Sequence, residues 1–344
     1  MKPLQNICTP SSSNRAGCKI LILGLTAGAL LILTVLSFCL GSSGLSLEQL
    51  GRALIQGDAG DKAYQILMYV RLPRTLGAVL AGGALAVSGA LLQAVLGNPL
   101  ASPNVIGVNS GAGLFTMAAA AFFPGAIALG PVFAFIGALV AALAVYAIAT
   151  RTGASRRTIV LAGMAVSSFL GAFTDIILTL FPETQMNRIA FMIGGFSGLN
   201  MSSLSLVGIL IPIGIALAIA LGYELNVLSL GEEVAGSLGL RAGVYRTVYL
   251  ALAALLAGCA VSFAGLLGFV GLIVPHAARF LIGTDQRYLI PMCALAGGGF
   301  TLACDIVART AFAPFELPVG IIMSILGGPF FVYLLFRRKG GMRI

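Results

Sequence analysis

The stretch VRLPRTLGAVLAGGALAVSGALLQ (70–93) places two arginines three residues apart around a proline, then continues for more than twenty residues without a charge. An α-helix of about 20 apolar residues, rising about 1.5 Å per residue, covers the roughly 30 Å of hydrocarbon in a bilayer. The same pattern recurs along the chain, at about 19–40, 104–123, 126–150, 158–181, 204–223, 246–266, 288–308 and 317–336, so that 72–96 is one of nine clear helices. The segment GFVGLIVPHAARFLIG (268–283) is apolar, short and interrupted by Pro275, and counts as a short tenth. A chain of 344 residues that is 59% hydrophobic and 9% charged cannot bury that much apolar surface in water. The expected fold is an all-α polytopic membrane protein of ten transmembrane helices.

Charge sorting supports the count of ten. With both termini cytoplasmic, only Arg52, Lys62, Arg71, Arg74, Arg188 and Arg309 of the 20 basic residues fall outside, as the positive-inside bias requires. Nine crossings would carry Arg309 and the basic tail RRKGGMR to the opposite sides. The net charge of +9 therefore reads as orientation against anionic lipid, and no basic run interleaved with aromatics suggests nucleic acid. The first 18 residues read as a cytoplasmic tail without a cleaved signal or lipid-attachment site, followed by an uncleaved first helix.

Small residues four apart, Ala78/Gly82/Ala86/Ala90, Ala254/Gly258/Ser262 and Gly320/Ser324/Gly328, form stripes that let helices approach closely where lipid supplies no hydrophobic drive. LAGGALAVSGALLQ (80–93) and LAGGGFTLACDIVAR (295–309) are faintly alike, a hint of an inverted repeat. The six cysteines lack ligand spacing, so no metal site is expected. No GxxxxGK[ST] loop occurs, so ATP hydrolysis is not expected of this chain. Ser110 in GVNSGAG and the lone His276 do not suggest a serine protease, because a serine at a glycine-rich helix start is ordinarily a cap. Two intramembrane acids, Asp175 and Asp305, would suit an ion-coupled secondary transporter. Arg309 stands four residues after Asp305, where the two can pair, which leaves Asp175 as the acid without an explanation.

The ordered set RLPR (71–74), GALAVSGALLQAVLGNPLASPNVIGVNSGAG (83–113), LGEEVAGSLGL (230–240), GFVGLIVPHAAR (268–279), CDIVAR (304–309) and ELPVGIIMSILGGPFFVYLL (316–335) closely resembles the FecCD-type permease family, from about residue 45 to the end. The family comprises membrane subunits of ATP-driven importers for ferric siderophores, haem and cobalamin. The resemblance implies a permease domain over 19–344 in the bacterial cytoplasmic membrane, paired with a second permease subunit as a homodimer or with a sister permease. It implies two cytoplasmic ATPases carrying ATP and Mg, an external substrate-binding protein, and no cofactor or catalytic residue on this chain. The cargo is a metal chelate, with ferric siderophore placed ahead of cobalamin or haem.

The resemblance also assigns residues. Arg71, Arg74 and Arg309 would receive acidic side chains of the binding protein. A cytoplasmic coupling segment over 226–243 would meet the ATPase through Gly231, Glu232, Ala235, Leu238 and Gly239. Ser229, three before Glu232, fits a capping box that starts a helix there, and Gly239 fits its stop. The turn TGASRRT (152–158) corresponds to the family's cytoplasmic gate and offers Ser155, although Arg156 and Arg157 are bulkier than gate residues.

Overall fold

The computed structural model describes residues 12–41, 48–49, 51–52, 61–126, 129–151 and 156–339. Ser155 and residues 1–11 of the tail lie outside the described residues. Every regular element among the described residues is helical. In chain order the principal helices are α1 (Ser12–Cys39), α2 (Lys62–Leu96), α3 (Val108–Phe122), α4 (Leu129–Arg151), α5 (Arg156–Leu180), α6 (Gln185–Ile193) and α7 (Val207–Ala220). After these come α8 (Gly222–Ser229), α9 (Glu232–Ser237), α10 (Ala242–Ala264), α11 (Val270–Ile282), α12 (Gln286–Thr310) and α13 (Val319–Lys339).

Among the described residues, 7 helices are long and apolar enough to cross a membrane, while α3, α11 and the apolar part of α13 are shorter. All ten lie on the apolar segments read from the sequence. The opening stretch forms the axis of the bundle: the most apolar window of α2 is 89% buried, against 6% for α1. Helix α1 instead turns Leu21, Leu25, Leu31 and Ile32 outward, as a lipid-facing helix does.

A helix enclosed on all sides must meet its neighbours at backbone distance, and α2 does so at glycines. A Cβ on Gly82 would overlap the carbonyl oxygen of Gly297 on α12, and one on Gly297 would overlap that of Gly82. Ala294 opposes Gly83 and Val79 opposes Gly298, so the two helices run antiparallel through this crossing. The two look-alike segments are therefore each other's packing partners. Further down α2, a Cβ on Gly89 would overlap the Gly271 carbonyl of α11. Gly111 of α3 and Gly137 of α4 make a second reciprocal contact.

Two segments depart from the sequence reading. The span expected at 104–123 begins as a helix only at Val108, because Pro103–Ile106 is a 3-10 turn and Gly107 takes the left-handed φ of 75°. The connection before it folds into the bundle, with Ala101 and Ile106 buried. Irregular backbone at membrane depth persists only where protein covers it. Pro275 does not interrupt α11; the helix passes through it. A helical proline has no N–H, which leaves the carbonyl four residues earlier, Gly271, without its helical donor. Gln93 on α2 takes that role, its Nε2 donating to Gly271 O at 3.1 Å and to Ala101 O at 3.3 Å.

These crossings predict a sharp contrast between glycines. Gly82→Leu or Gly89→Leu should destabilise the detergent-solubilised protein by more than about 3 kcal/mol, as overpacking against backbone does. Gly208→Leu, at a position facing open space, should leave the melting temperature nearly unchanged. Thermal melting of the three variants checks this.

Candidate functional site

At the arginine end of α2, Arg71 and Arg74 leave the helix in different directions. Within α2 a π-helical turn, Ile66–Arg71, leads directly into the α-helical Leu72–Leu96 just before Pro73, which has no N–H to return to the preceding turn. Arg71 donates from Nη1 to the Phe38 and Cys39 carbonyl oxygens at the C-terminus of α1. Arg309 joins it there, donating from Nη2 to Ser37 O at 3.0 Å and Ser37 Oγ at 2.6 Å. The last carbonyls of a helix lack internal partners and carry partial negative charge, so two guanidinium groups stabilise the end of α1.

Arg74 turns to the acids. Its Nε donates to both oxygens of Asp305, at 3.0 and 3.1 Å, and its Nη1 donates to Glu316 Oε2 at 2.6 Å. Asp305 and Arg309 do form the pair that their spacing suggests, but at 3.6 Å this is an ion pair without a hydrogen bond. Asp305 is fully buried, and all three arginines assigned to docking are buried within the chain. The structure thus brings Arg71, Arg74 and Arg309 together in one cluster that ties α1, α2, α12 and the 311–318 loop. Sequence reading missed Ser37 and Glu316, which come from distant segments. Glu316 stood within the quoted ELPVG motif with nothing local to mark it as a partner of Arg74.

A cavity of about 730 Å³ opens beside this cluster. Arg74 and Glu316 line it together with Glu183, Asn187, Phe191 and Ser262. Backbone bonds from Gly195 N to Ala264 O and from Leu266 N to Phe191 O, both 2.8 Å, fasten the end of α6 to the end of α10 along its wall. Asp175 is not an isolated membrane acid. Its carboxylate is largely exposed and pairs with Arg188 of α6 at 3.2 Å.

At the opposite end of the bundle, the segment 226–243, which the resemblance assigned to coupling, contains the short helix α9. Its N-cap is Gly231 at φ 113°, and Ser229 is not the cap. The Ser229 hydroxyl instead donates back to Asn226 O at 2.7 Å, because Ser229 is the last residue of α8 and the turn at Leu230–Gly231 intervenes. The expected stop holds: Gly239 is left-handed at φ 83°, and Leu240 N donates to Ala235 O at 2.9 Å in the manner of a Schellman cap. Ala235 is fully buried while Leu238 is 64% exposed, so the assigned residues face both ways. Val234 and Leu238, four apart, form an exposed apolar ridge, of which sequence reading identified only Leu238, and Leu230 in the turn before the helix is exposed as well. Glu232 pairs with Arg246, which is buried in the first turns of α10.

Nearby, Asn226 on α8 clasps the start of α12: its Nδ2 donates to Asp285 Oδ1 at 2.8 Å and its Oδ1 accepts from Gln286 N at 2.9 Å. The Arg287 side chain, helped by Asn226, outweighs burial and holds the Asp285 carboxyl down at about 2. A depressed carboxylate stabilises the fold above its ordinary titration range near 3.9, and that stability is lost as pH falls through about 2.

Residues 29–337 match the FecCD transport family. The chain belongs to the FecCD transport family. Among similar FecCD proteins, the iron(3+)-hydroxamate import system permease protein FhuB of Bacillus subtilis is 39% identical over 311 residues, 89% of this chain and 80% of that one. The cobalamin import system permease protein BtuC of Halobacterium salinarum is 40% identical over 290 residues, 83% of this chain and 78% of that one. A solved structure described as an inward-facing metal-chelate type ABC transporter superposes with a TM-score of 0.80 at 29% identity, covering 92% of this chain and 99% of that one. As a FecCD protein, this chain is a multi-pass transport permease of the ABC class.

Removing one partner from a buried charge pair leaves the other uncompensated, at a typical cost of about 3–5 kcal/mol. Asp305→Asn should therefore lower the melting temperature of the purified permease markedly. Asp175→Asn, in an exposed pair worth under about 1 kcal/mol, should hardly move it. Differential scanning fluorimetry in detergent distinguishes the two.

Proposed function

We propose that this chain is the ten-crossing membrane subunit of a binding-protein-dependent importer, with both termini cytoplasmic in a bacterial inner membrane. Two such subunits enclose the path, as a homodimer or with a sister permease. ATP hydrolysis on two separate cytoplasmic subunits drives alternating access, the opening shifting from one face of the bundle to the other. The cargo is a metal chelate, as the relatives named for hydroxamate and for cobalamin import support, and the order proposed is ferric siderophore first, then cobalamin or haem. The ion-coupled alternative drew on an unexplained Asp175, and the Arg188 pair supplies the explanation.

One observation carries the reading: α9 presents an apolar ridge, Val234 and Leu238, with exposed Leu230 beside it, to its surroundings at the end of the bundle opposite the arginine cluster. A short capped helix with its small residue buried inward and its apolar ridge outward is built to be gripped by a partner. Its pair with Arg246 fastens it to α10, so that a push on the ridge moves a long helix. The arginine cluster at the other end serves the binding protein, whose carboxylates suit the planar guanidinium fork.

Because Ala235 is fully buried, a bulky residue there would disrupt the segment itself, and Leu238 is the cleaner probe. Leu238→Glu should leave the permease folded and assembled while cutting ATP-dependent uptake at least tenfold, measured in proteoliposomes with the ATPase and binding protein. Full uptake by that variant would remove α9 from the ATPase contact. For the cargo, radiolabelled iron presented as a panel of ferric siderophores to iron-starved cells lacking the gene, with and without its restoration, should show recovery of one chelate. Failure across the panel would move cobalamin and haem ahead.

A further inference from the structure

The docking reading above requires an acid from outside to reach arginines that are already occupied, and the manner of their occupation is uneven. Arg74 holds Asp305 through Nε, on the side where the acid is fully buried between helices. Its other edge, Nη1, faces the cavity and is covered by Glu316, whose side chain keeps 31% of its exposure. Glu316 is thus the one acid of the cluster that water, or another carboxylate, can reach. The three guanidinium groups and two carboxylates together carry one net positive charge, a balance that favours an approaching anion.

We propose that Glu316 is an internal stand-in for the carboxylate of the docking partner, an acidic side chain on the external binding protein. The incoming acid takes Arg74 Nη1 by displacing Glu316, instead of adding to a vacant arginine. The inference rests on the docking role proposed for the arginines. The exchange also has a destination. Glu316 lies three residues before α13, in a loop anchored by Leu317 N to Ala308 O at 3.0 Å. Gly320 in the first turn of α13 abuts the Ile193 carbonyl so closely that a Cβ there would overlap it. Leu317–Val319 and Ile193–Gly195 both line the cavity, so the exchange at Glu316 takes place at the edge of one of its walls. Phe312 and Phe315, exposed on the same loop, give the partner apolar contact around the charged centre.

The test is the affinity of the purified binding protein that serves this permease for the complete permease–ATPase complex in nanodiscs at low salt. Glu316→Gln removes the competitor, so docking should tighten about tenfold, an inverse result for deletion of a charged rim residue. Glu316→Asp keeps the charge but draws it back by one methylene, and should give an intermediate gain of about threefold. It serves alone if the glutamine variant does not fold. Unchanged or weaker docking by both variants, with wild-type docking intact, overturns the exchange while leaving the docking reading in place. No docking by the wild-type complex removes the docking reading and the inference with it.

Discussion

The enclosure of α2 is the constraint from which the rest of this architecture follows. Over most of its length α2 has no exposed face, and where another helix crosses it closely a large side chain would hold the two apart. Its sequence is accordingly alanine and glycine at each crossing, and the contacts at Gly82–Gly297 and Gly89–Gly271 are made by backbone. Close approach in turn exposes the polar groups of one helix to another, and those groups must be satisfied internally. Ser88 donates to Ala253 O of α10 at 2.7 Å and Gln93 donates to Gly271 O of α11, so the central helix is tied to its neighbours by the few polar side chains it carries.

The two ends of the bundle share a mechanical element. Helix α10 begins beside α9, with Arg246 paired to Glu232, and ends where Val261, Ser262 and Ala264 form part of the cavity wall. Its terminal carbonyl at Ala264 receives the Gly195 N–H, which fixes the segment after α6 to it. A displacement at one end of such a rod has few ways to dissipate, since its middle is buried against α2 and α4.

What the sequence made legible was periodic or local. Apolar run length located the apolar helices, small residues four apart marked the α2 crossing at Gly82 but not the one at Gly89, and Gly239 marked the end of α9. Asp305 and Arg309 were correctly paired because helical spacing alone brings them together. The losses were of two kinds. Ser229 satisfied a capping pattern, but the same hydroxyl had a competing use at the end of α8, and pattern matching cannot rank two local options. The surroundings of Arg71 and Arg74 were not legible because their partners, Phe38, Cys39, Asp305 and Glu316, arrive from α1, α12 and the following loop. Outward charge at a helix mouth looked like exposure, whereas the helix that carries it is the innermost one.

Gln93 gives Pro275 a meaning beyond tolerance. A proline midway along a membrane helix is ordinarily a place to bend, since one rung of the hydrogen-bond ladder is missing. Here the missing rung is supplied from a different helix, so α11 can flex only by stripping the Gly271 carbonyl of its donor or by carrying α2 along. The glycine contact at Gly89 favours the second route, because it leaves no gap into which the two helices could slide past each other. The kink site is in effect a locked joint whose key is a single amide, and bending α11 there carries α2 with it.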